Sequence, residues 1–171
     1  MSNIPSLDEI NAAAARIAPW VHRTPVMTSR AIDEIAGCTL FFKCENLQKV
    51  GAFKFRGASN AVLSLSEEEA ARGVATHSSG NHAQALALAA RMRGIPSFIV
   101  MPSNAPAIKK AAVAGYGARI VECEPTLAAR ESTLDAVVRE TGAAFVHPYN
   151  DQRVITGQAT AAKELIEDVA D

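Results

Sequence analysis

Short apolar runs alternate with segments of helical periodicity along the second half of the chain. The apolar runs predict β-strands at residues 74–76, 97–101, 119–122 and 144–146. The segments between them predict helices at residues 81–93, 105–115 and 126–141. Because this alternation implies crossover connections between parallel strands, we expect residues 72–148 to form an α/β unit, a parallel sheet with helices on both faces.

The part of the chain that precedes this unit contains clear helix signals. Ser6 and Glu9 have the spacing of a capping box, and apolar residues follow at helical spacing until Pro19 interrupts the pattern. A second short helix is predicted at residues 30–36, since Gly37 stands where a helix commonly ends.

A single strand signal lies in this first part of the chain, at residues 39–45. Helical patterns follow at residues 57–65 and behind a second capping box, formed by Ser66 and Glu69. A last helix is predicted at residues 154–170. One strand cannot build a sheet, so we expect these segments to pack onto something else.

Composition and charge exclude some classes of protein and of partner. Hydrophobic residues make up 49% of the chain and charged residues 20%, which is typical of a soluble globular protein. The 17 Lys and Arg against 18 Asp and Glu give a net charge of −1 without a basic stripe, so nucleic acid is not an expected partner. The sequence shows neither a leader pattern nor an apolar run of membrane length, so a cytoplasmic protein without a membrane partner is expected.

Cysteine and histidine spacing gives no disulfide or metal signature. Cys38, Cys44 and Cys123 lack a C-x-x-C pair, and we expect them to be buried thiols. His77 and His82 are spaced so that they would not share a helix face, and a metal site is not predicted. The glycine motifs of ordinary dinucleotide and nucleoside triphosphate sites are also missing from the sequence.

The motif SSGNH lies where a parallel sheet usually binds its ligand. It follows the predicted strand at residues 74–76 and opens the predicted helix that begins at Asn81. Gly80 permits close approach of the backbone, Ser78 and Ser79 add hydroxyls, and the free N–H groups of a helix start attract a carboxylate or a phosphate. An ordinary helix cap with a glycine turn would use the same residues, so both interpretations stay open.

The motif GAFKFRG places Lys54 between Phe53 and Phe55. An exposed lysine has a pKa of about 10.4 and is a poor nucleophile at neutral pH, whereas apolar surroundings disfavour its charged form. In an extended segment, however, the two aromatic side chains would point away from Lys54, which would then lie on the surface. Taken alone, the motif favours the surface lysine.

Taken together, the two motifs resemble a known family. The similarity is carried by FFKCENLQKVGAFKFRGASNAV and THSSGNHAQALALAA, and it continues through TPV, GIPSFIVMP, GYGARIV and GQATAAKEL. These stretches resemble the N-terminal signatures of serine racemases and serine/threonine dehydratases, which are pyridoxal phosphate dependent enzymes of the tryptophan synthase β-like fold, or fold type II. The resemblance covers practically the whole chain.

The resemblance implies a role for each matching residue. Lys54 matches the lysine that forms a Schiff base with the cofactor aldehyde, and Phe53 matches an aromatic residue packed near the pyridine ring. Asn81 matches the asparagine that bonds the ring hydroxyl of the cofactor. Ser79 matches the hydroxyl residue that, in racemases, serves the substrate face opposite to the lysine. The loop implied to hold the substrate carboxylate contains Ser78, Ser79, Asn81 and His82.

The implied activity is dehydration by β-elimination, racemisation, or both, of a small β-hydroxy amino acid. Serine, threonine and 3-hydroxyaspartate all stay open as substrates, because HPYND at residues 147–151 falls in a stretch that varies with substrate among relatives. The family also implies a homodimer in the full-length form.

The resemblance further implies two domains, of which only one is complete. Residues 1–71 and 149–171 correspond to the amino-terminal part of a large cofactor domain, and residues 72–148 to a small domain that closes over the substrate. The family's phosphate loop and metal site have no counterpart in the sequence, which resembles an amino-terminal half. A truncated, non-catalytic α/β module that binds anions or another polypeptide is therefore the alternative to an enzyme.

Overall fold

The computed structural model describes residues 4–170. The helices are α1 (Leu7–Ile17), α2 (Arg30–Ala36), α3 (Lys54–Leu63), α4 (Glu67–Arg72), α5 (Asn81–Arg93), α6 (Ala107–Gly115), α7 (Leu127–Thr141) and α8 (Gln152–Val169). The strands are β1 (Val26–Met27), β2 (Phe42–Lys43), β3 (Val74–His77), β4 (Ser97–Pro102), β5 (Arg119–Cys123) and β6 (Ala144–Phe145). None of the helices in residues 4–170 combines the length and the hydrophobicity that spanning a membrane requires.

Strands β3 to β6 form one parallel sheet with the order β5-β4-β3-β6. The predicted parallel sheet is confirmed, and the four predicted strands differ from the observed ones only at their carboxyl ends. The two central strands, β4 and β3, are almost entirely buried. Burial of this kind is typical of a parallel sheet that is covered on both faces.

Side chains that alternate along the strands belong to two hydrophobic clusters. Val74 and Ile99 pack in the larger cluster, which includes α5. Ala75 and Val100, the next residue along each strand, pack with Leu134 of α7 in the second cluster. Because successive side chains of a strand point to opposite faces, α5 and α7 cover opposite faces of the sheet. The predicted α/β class is therefore confirmed.

The cap signals of the sequence correspond to real helix ends. The side chain of Ser6 accepts a hydrogen bond from the Glu9 N–H while the Glu9 carboxylate accepts one from the Ser6 N–H, so the first capping box is present. Ser66 and Glu69 form the second in the same way. Helix α2 ends at Ala36 and is capped by Gly37, which has the left-handed backbone, with φ of 70°, that glycine adopts without strain.

Helix α8 lies against α3 at a close crossing between two glycines. A Cβ atom added to Gly157 would lie 2.7 Å from the Gly57 Cα and 2.8 Å from the Arg56 carbonyl oxygen. The Gly57 N–H also donates to the side chain of Gln158 at 3.1 Å. The absence of a side chain at both glycines thus allows the two helix backbones to approach each other.

A buried arginine joins the segments around this crossing. Arg56 is fully buried and donates to Glu45 and Glu164 over distances of 2.7 to 2.8 Å. Burial opposes the charge of Arg56, but hydrogen bonds to the two carboxylates outweigh it and raise the pKa of the guanidinium. Lys43 lies 2.9 Å from Glu164 as well. This network ties α3 to α8 and to the 3₁₀ helix Glu45–Leu47.

The region before α3 departs from the prediction in two places. The strand expected at residues 39–45 is only β2, which pairs antiparallel with the two-residue strand β1. Helix α3 begins at Lys54 rather than at residue 57, so the GAFKFRG segment is not extended. The chain turns sharply just before it, since Val50 and Gly51 both have left-handed backbones, with φ of 57° and 68°.

The cysteines also correct the prediction. Cys123 is buried as expected, but Cys38 is exposed and Cys44 is half-buried. Cys38 follows α2, a helix that buries none of its residues. The prediction of three buried thiols is therefore wrong for two of them.

Candidate functional site

Lys54 is the first residue of α3 and comes shortly after the left-handed turn at Val50 and Gly51 along the chain. Its amine donates a hydrogen bond to the carbonyl oxygen of Pro148 at 2.8 Å. The same amine lies 5.2 Å from the centre of the Phe53 ring. The segment that follows β6 thus meets the first turn of α3 at the lysine.

The surroundings of Lys54 make its amine easier to deprotonate. The side chain is partly buried, and the loss of water lowers the pKa of Lys54 below its ordinary value. Phe55 is fully buried, whereas Phe53 is 45% exposed. The lysine is accordingly neither a free surface residue nor enclosed between two core side chains.

The SSGNH motif forms the connection from β3 to α5, as the sequence predicts. The Ser78 hydroxyl accepts a hydrogen bond from the Gly80 N–H at 3.3 Å, and the Ser78 N–H donates to the Val100 carbonyl at 3.1 Å. A Cβ atom added at Gly80 would meet no atom of residues 4–170 within 4 Å apart from its chain neighbours, so the space beside this residue is open. Ser79 is partly exposed and Asn81, the first residue of α5, is exposed. Short polar groups therefore surround an accessible helix start.

His82 differs from the rest of its motif because its side chain is buried. Its Nε2 atom lies 3.2 Å from the carbonyl oxygen of Val146, and its Nδ1 atom has no hydrogen-bond partner within residues 4–170. Burial chiefly, and the nearby charge of Lys54 in addition, lower the pKa of His82 to about 4. The imidazole is thus neutral at physiological pH and bonds to the protein backbone.

A group of rings lines the segment after β6. The ring of His147 lies 4.5 Å from that of Tyr149 and 6.2 Å from that of His77 at the end of β3. The Nδ1 atom of His147 accepts hydrogen bonds from the N–H groups of Tyr149 and Asn150, at 3.2 and 2.9 Å. This histidine therefore stabilises a tight turn beside the carbonyl that holds Lys54.

The structure brings two of the predicted site residues, Lys54 and His82, to one segment, residues 146–148. Lys54 contacts the segment after β6, and the SSGNH motif leads from β3, the strand that pairs with β6, into α5. Sequence reasoning missed Pro148, whose contribution is a backbone carbonyl and leaves no side-chain signal. The one sequence feature that could have indicated Pro148 is its position shortly after the predicted strand at residues 144–146, because ligands usually bind at the carboxyl ends of parallel strands. Among residues 4–170, no group of three or more His, Cys, Asp or Glu side chains could hold a metal ion.

Comparison with known proteins shows a clear relationship. The sequence model of the family described as "Pyridoxal-phosphate dependent enzyme" matches residues 17–171. Over 166 residues the chain is 57% identical to a beta-hydroxyaspartate dehydratase from Paracoccus denitrificans, covering 97% of this chain and 53% of that protein. It is 56% identical over 160 residues to a serine racemase from Arabidopsis thaliana, covering 94% of this chain and 48% of that protein.

Solved structures agree with these sequence matches. The structure of maize serine racemase superposes with a TM-score of 0.95 and 52% sequence identity, covering 97% of this chain and 50% of that one. The chain therefore spans about half the length of the curated relatives and solved structures that it matches.

Proposed function

This chain belongs to the family of pyridoxal-phosphate dependent enzymes, and from that membership we propose that Lys54 binds pyridoxal phosphate covalently. The protein is proposed to dehydrate or racemise a small β-hydroxy amino acid. The single observation that carries the proposal is the partly buried Lys54 amine, which is held by the Pro148 carbonyl and has a lowered pKa.

The residues of the site fit the chemistry of such a cofactor and of an amino-acid substrate. Condensation with an aldehyde needs an unprotonated primary amine, and burial favours that form of Lys54. The start of α5 offers free N–H groups and the exposed amide of Asn81, which suit an anion such as a carboxylate. Phe53 provides an exposed aromatic face beside the amine.

When bound, pyridoxal phosphate supplies an electron sink that stabilises negative charge at the α-carbon of an amino acid. Residues of this chain would then move the protons. Once the amino group of the substrate has displaced Lys54 from the cofactor aldehyde, the freed Lys54 Nζ atom is proposed to remove the α-proton from one face of the substrate. The Ser79 hydroxyl is proposed to serve the opposite face. Return of a proton from Ser79 inverts the centre, whereas loss of the β-hydroxyl as water, followed by hydrolysis, yields a keto acid and ammonia.

The substrate class follows from the relatives and from the site. Relatives named as serine racemase and as beta-hydroxyaspartate dehydratase both act on small amino acids, as their names state. Ser78, Ser79 and Asn81 are proposed to bind the substrate carboxylate together with the backbone N–H of His82, whose imidazole is directed to Val146. His77 and His147 lie nearby and are candidates to contact the substrate side chain.

The domain organisation is part of the same proposal. Residues 72–148 would form the small domain that closes over the substrate, and residues 1–71 and 149–171 would belong to the large domain. All four strands of the parallel sheet lie within the proposed small domain, which supports this division. In the complete protein we propose a homodimer, as the resemblance implies.

Absorbance spectroscopy with added pyridoxal phosphate tests the function. The wild-type protein is expected to give a visible band that is lost in Lys54→Ala and retained in Lys49→Ala, a matched change of a neighbouring lysine. A band that survives in Lys54→Ala would assign the cofactor to another residue. A wild-type protein without a band would favour the non-catalytic module.

A further inference from the structure

The imidazole of His82 contacts the backbone segment that holds the Lys54 amine. The side chain of His82 is only 3% exposed, and its Nε2 atom lies 3.2 Å from the Val146 carbonyl oxygen. Because a carbonyl only accepts hydrogen bonds, Nε2 carries the proton, and the buried Nδ1 atom, which has no partner within residues 4–170, is unprotonated in the neutral imidazole. The buried imidazole of His82 therefore donates its N–H to the carbonyl oxygen of Val146.

Val146 is held from two sides. Its N–H donates to the carbonyl of Ala75 in β3 at 2.9 Å, and its carbonyl accepts from His82 at 3.2 Å. Two residues later along the chain, the carbonyl of Pro148 accepts from Lys54 at 2.8 Å. The carbonyl that His82 contacts is therefore only two residues away from the carbonyl that Lys54 contacts.

The backbone of residues 146–148 has little freedom. Proline fixes its own φ angle and restricts the residue before it, which is His147. The ring of His147 in turn accepts hydrogen bonds from the N–H groups of Tyr149 and Asn150, so the far side of the segment is also tied. A displacement of Val146 would consequently be transmitted to the Pro148 carbonyl.

We propose that His82 is a positioning residue for Lys54: it holds Val146 in place and thereby fixes the Pro148 carbonyl that orients the lysine amine. This inference deepens the proposed function and rests on the assigned role of Lys54. His82 itself does not bond to the amine, and its effect passes through the backbone of residues 146–148.

Two substitutions separate the hydrogen bond from the packing. His82→Met keeps a side chain of similar volume in the buried site but removes the donor. His82→Gln keeps an N–H donor at about the reach of the imidazole Nε2 atom. If His82 acts through its hydrogen bond, Gln will preserve the behaviour of Lys54 and Met will not.

The test measures the Lys54 amine directly, without pyridoxal phosphate. Purified protein is labelled with limiting acetic anhydride across a pH series, and mass spectrometry of peptides gives the extent of labelling at Lys54, with the exposed Lys109 as internal reference. In His82→Met, water should reach the amine and raise the pKa of Lys54, so that the fraction of neutral amine at fixed pH drops roughly threefold. His82→Gln should retain the wild-type profile.

Folding of each variant is checked by circular dichroism. If His82→Met does not fold, His82→Asn replaces it, because the asparagine amide is too short to reach the Val146 carbonyl. An unchanged Lys54 profile in the folded Met or Asn variant overturns the proposal, and so does failure of Gln to retain the profile. Failure of the proposed function would show separately, as a wild-type protein that forms no visible band with pyridoxal phosphate.

Discussion

Lys54 and His82 are both held in surroundings that disfavour their charged forms. Burial lowers the pKa of each, and the charge of Lys54 lowers that of His82 further. For Lys54 the consequence is a larger fraction of neutral amine, which a reaction with an aldehyde requires. For His82 the consequence is an imidazole that stays neutral and keeps its hydrogen bond to Val146.

The shifted pKa of His82 predicts a stability that depends on pH. Its ordinary value is 6.5 and its value in the fold is about 4, so the unfolded chain binds a proton at a higher pH than the folded chain does. The contribution of the neutral, buried His82 to the free energy of unfolding is fully present above pH 6.5 and is lost as the pH falls toward 4. The loss should be on the order of 3 kcal/mol.

Urea unfolding of wild type and His82→Gln near neutral pH and near pH 4.5 measures this effect. The free energy of unfolding should fall less in the variant on acidification, by roughly 2–3 kcal/mol. His77, whose pKa burial also lowers, is present in both proteins, so its contribution cancels. Equal pH dependence of the two proteins would contradict the assignment of a neutral, buried His82.

Ser79 carries a prediction about reaction outcome. In the active protein, Ser79→Ala should reduce racemisation of serine by roughly a hundredfold or more, the usual contribution of a proton donor, while dehydration is retained. Ser78→Ala is the matched control and should affect both reactions in parallel, because the Ser78 hydroxyl accepts from Gly80 in the loop itself. Chiral chromatography of serine and an assay of the keto acid measure the two. Racemisation that persists in Ser79→Ala would reject its role.

At the scale of the elements, the sequence predicts what depends on local patterns. The capping boxes at Ser6 and Ser66 and the alternating strands of the sheet could be recognised because their signals lie within a few residues. The start of α3 at Lys54 could not be recognised from the sequence. It depends on a left-handed turn at Val50, a conformation that β-branched residues rarely adopt. The Pro148 carbonyl and the burial of His82 depend on packing between distant segments, which no local pattern reports.

The crossing of α3 and α8 predicts a strong effect of one methyl group. In Gly157→Ala the new Cβ would lie 2.7 Å from the Gly57 Cα, and neither helix backbone can move away without disturbing the other contacts. We expect a loss of about 2–3 kcal/mol in the free energy of unfolding.

Gly115→Ala is the control for this substitution, because a Cβ at Gly115 in α6 would meet no described atom within 4 Å outside its own helix and chain neighbours. This change should be neutral or stabilising by up to about 0.5–1 kcal/mol, since alanine loses less entropy than glycine in a helix. Urea denaturation of both variants provides the comparison. Similar stabilities for Gly157→Ala and wild type would show that the crossing tolerates a side chain.

At the scale of the whole molecule, Arg56 links regions that are far apart in sequence. Its guanidinium joins Glu45, before α3, to Glu164, near the end of α8, and also bonds to the carbonyl of His22. The residue lies just behind Lys54 on α3. The network therefore anchors the helix that carries the lysine.

Removing one partner of a buried ion network leaves the other charges uncompensated. Arg56→Met should lower the free energy of unfolding by about 3–5 kcal/mol. Arg72→Met, which removes an exposed ion pair with Glu68 and an exposed hydrogen bond to the Gly142 carbonyl, should lower it by only about 1 kcal/mol or less. Thermal and urea unfolding measure both variants, and an equally small effect at Arg56 would refute the anchoring role.

Reduction with borohydride in the presence of pyridoxal phosphate, followed by peptide mass spectrometry, directly identifies the lysine that binds the cofactor. Borohydride converts the linkage between an amine and the cofactor aldehyde into a stable bond, so the modified lysine can be located. We expect a single modified position, Lys54, and loss of the modification in Lys54→Ala. Modification at another lysine in place of Lys54, or a protein that remains unmodified, would contradict the proposed role of Lys54.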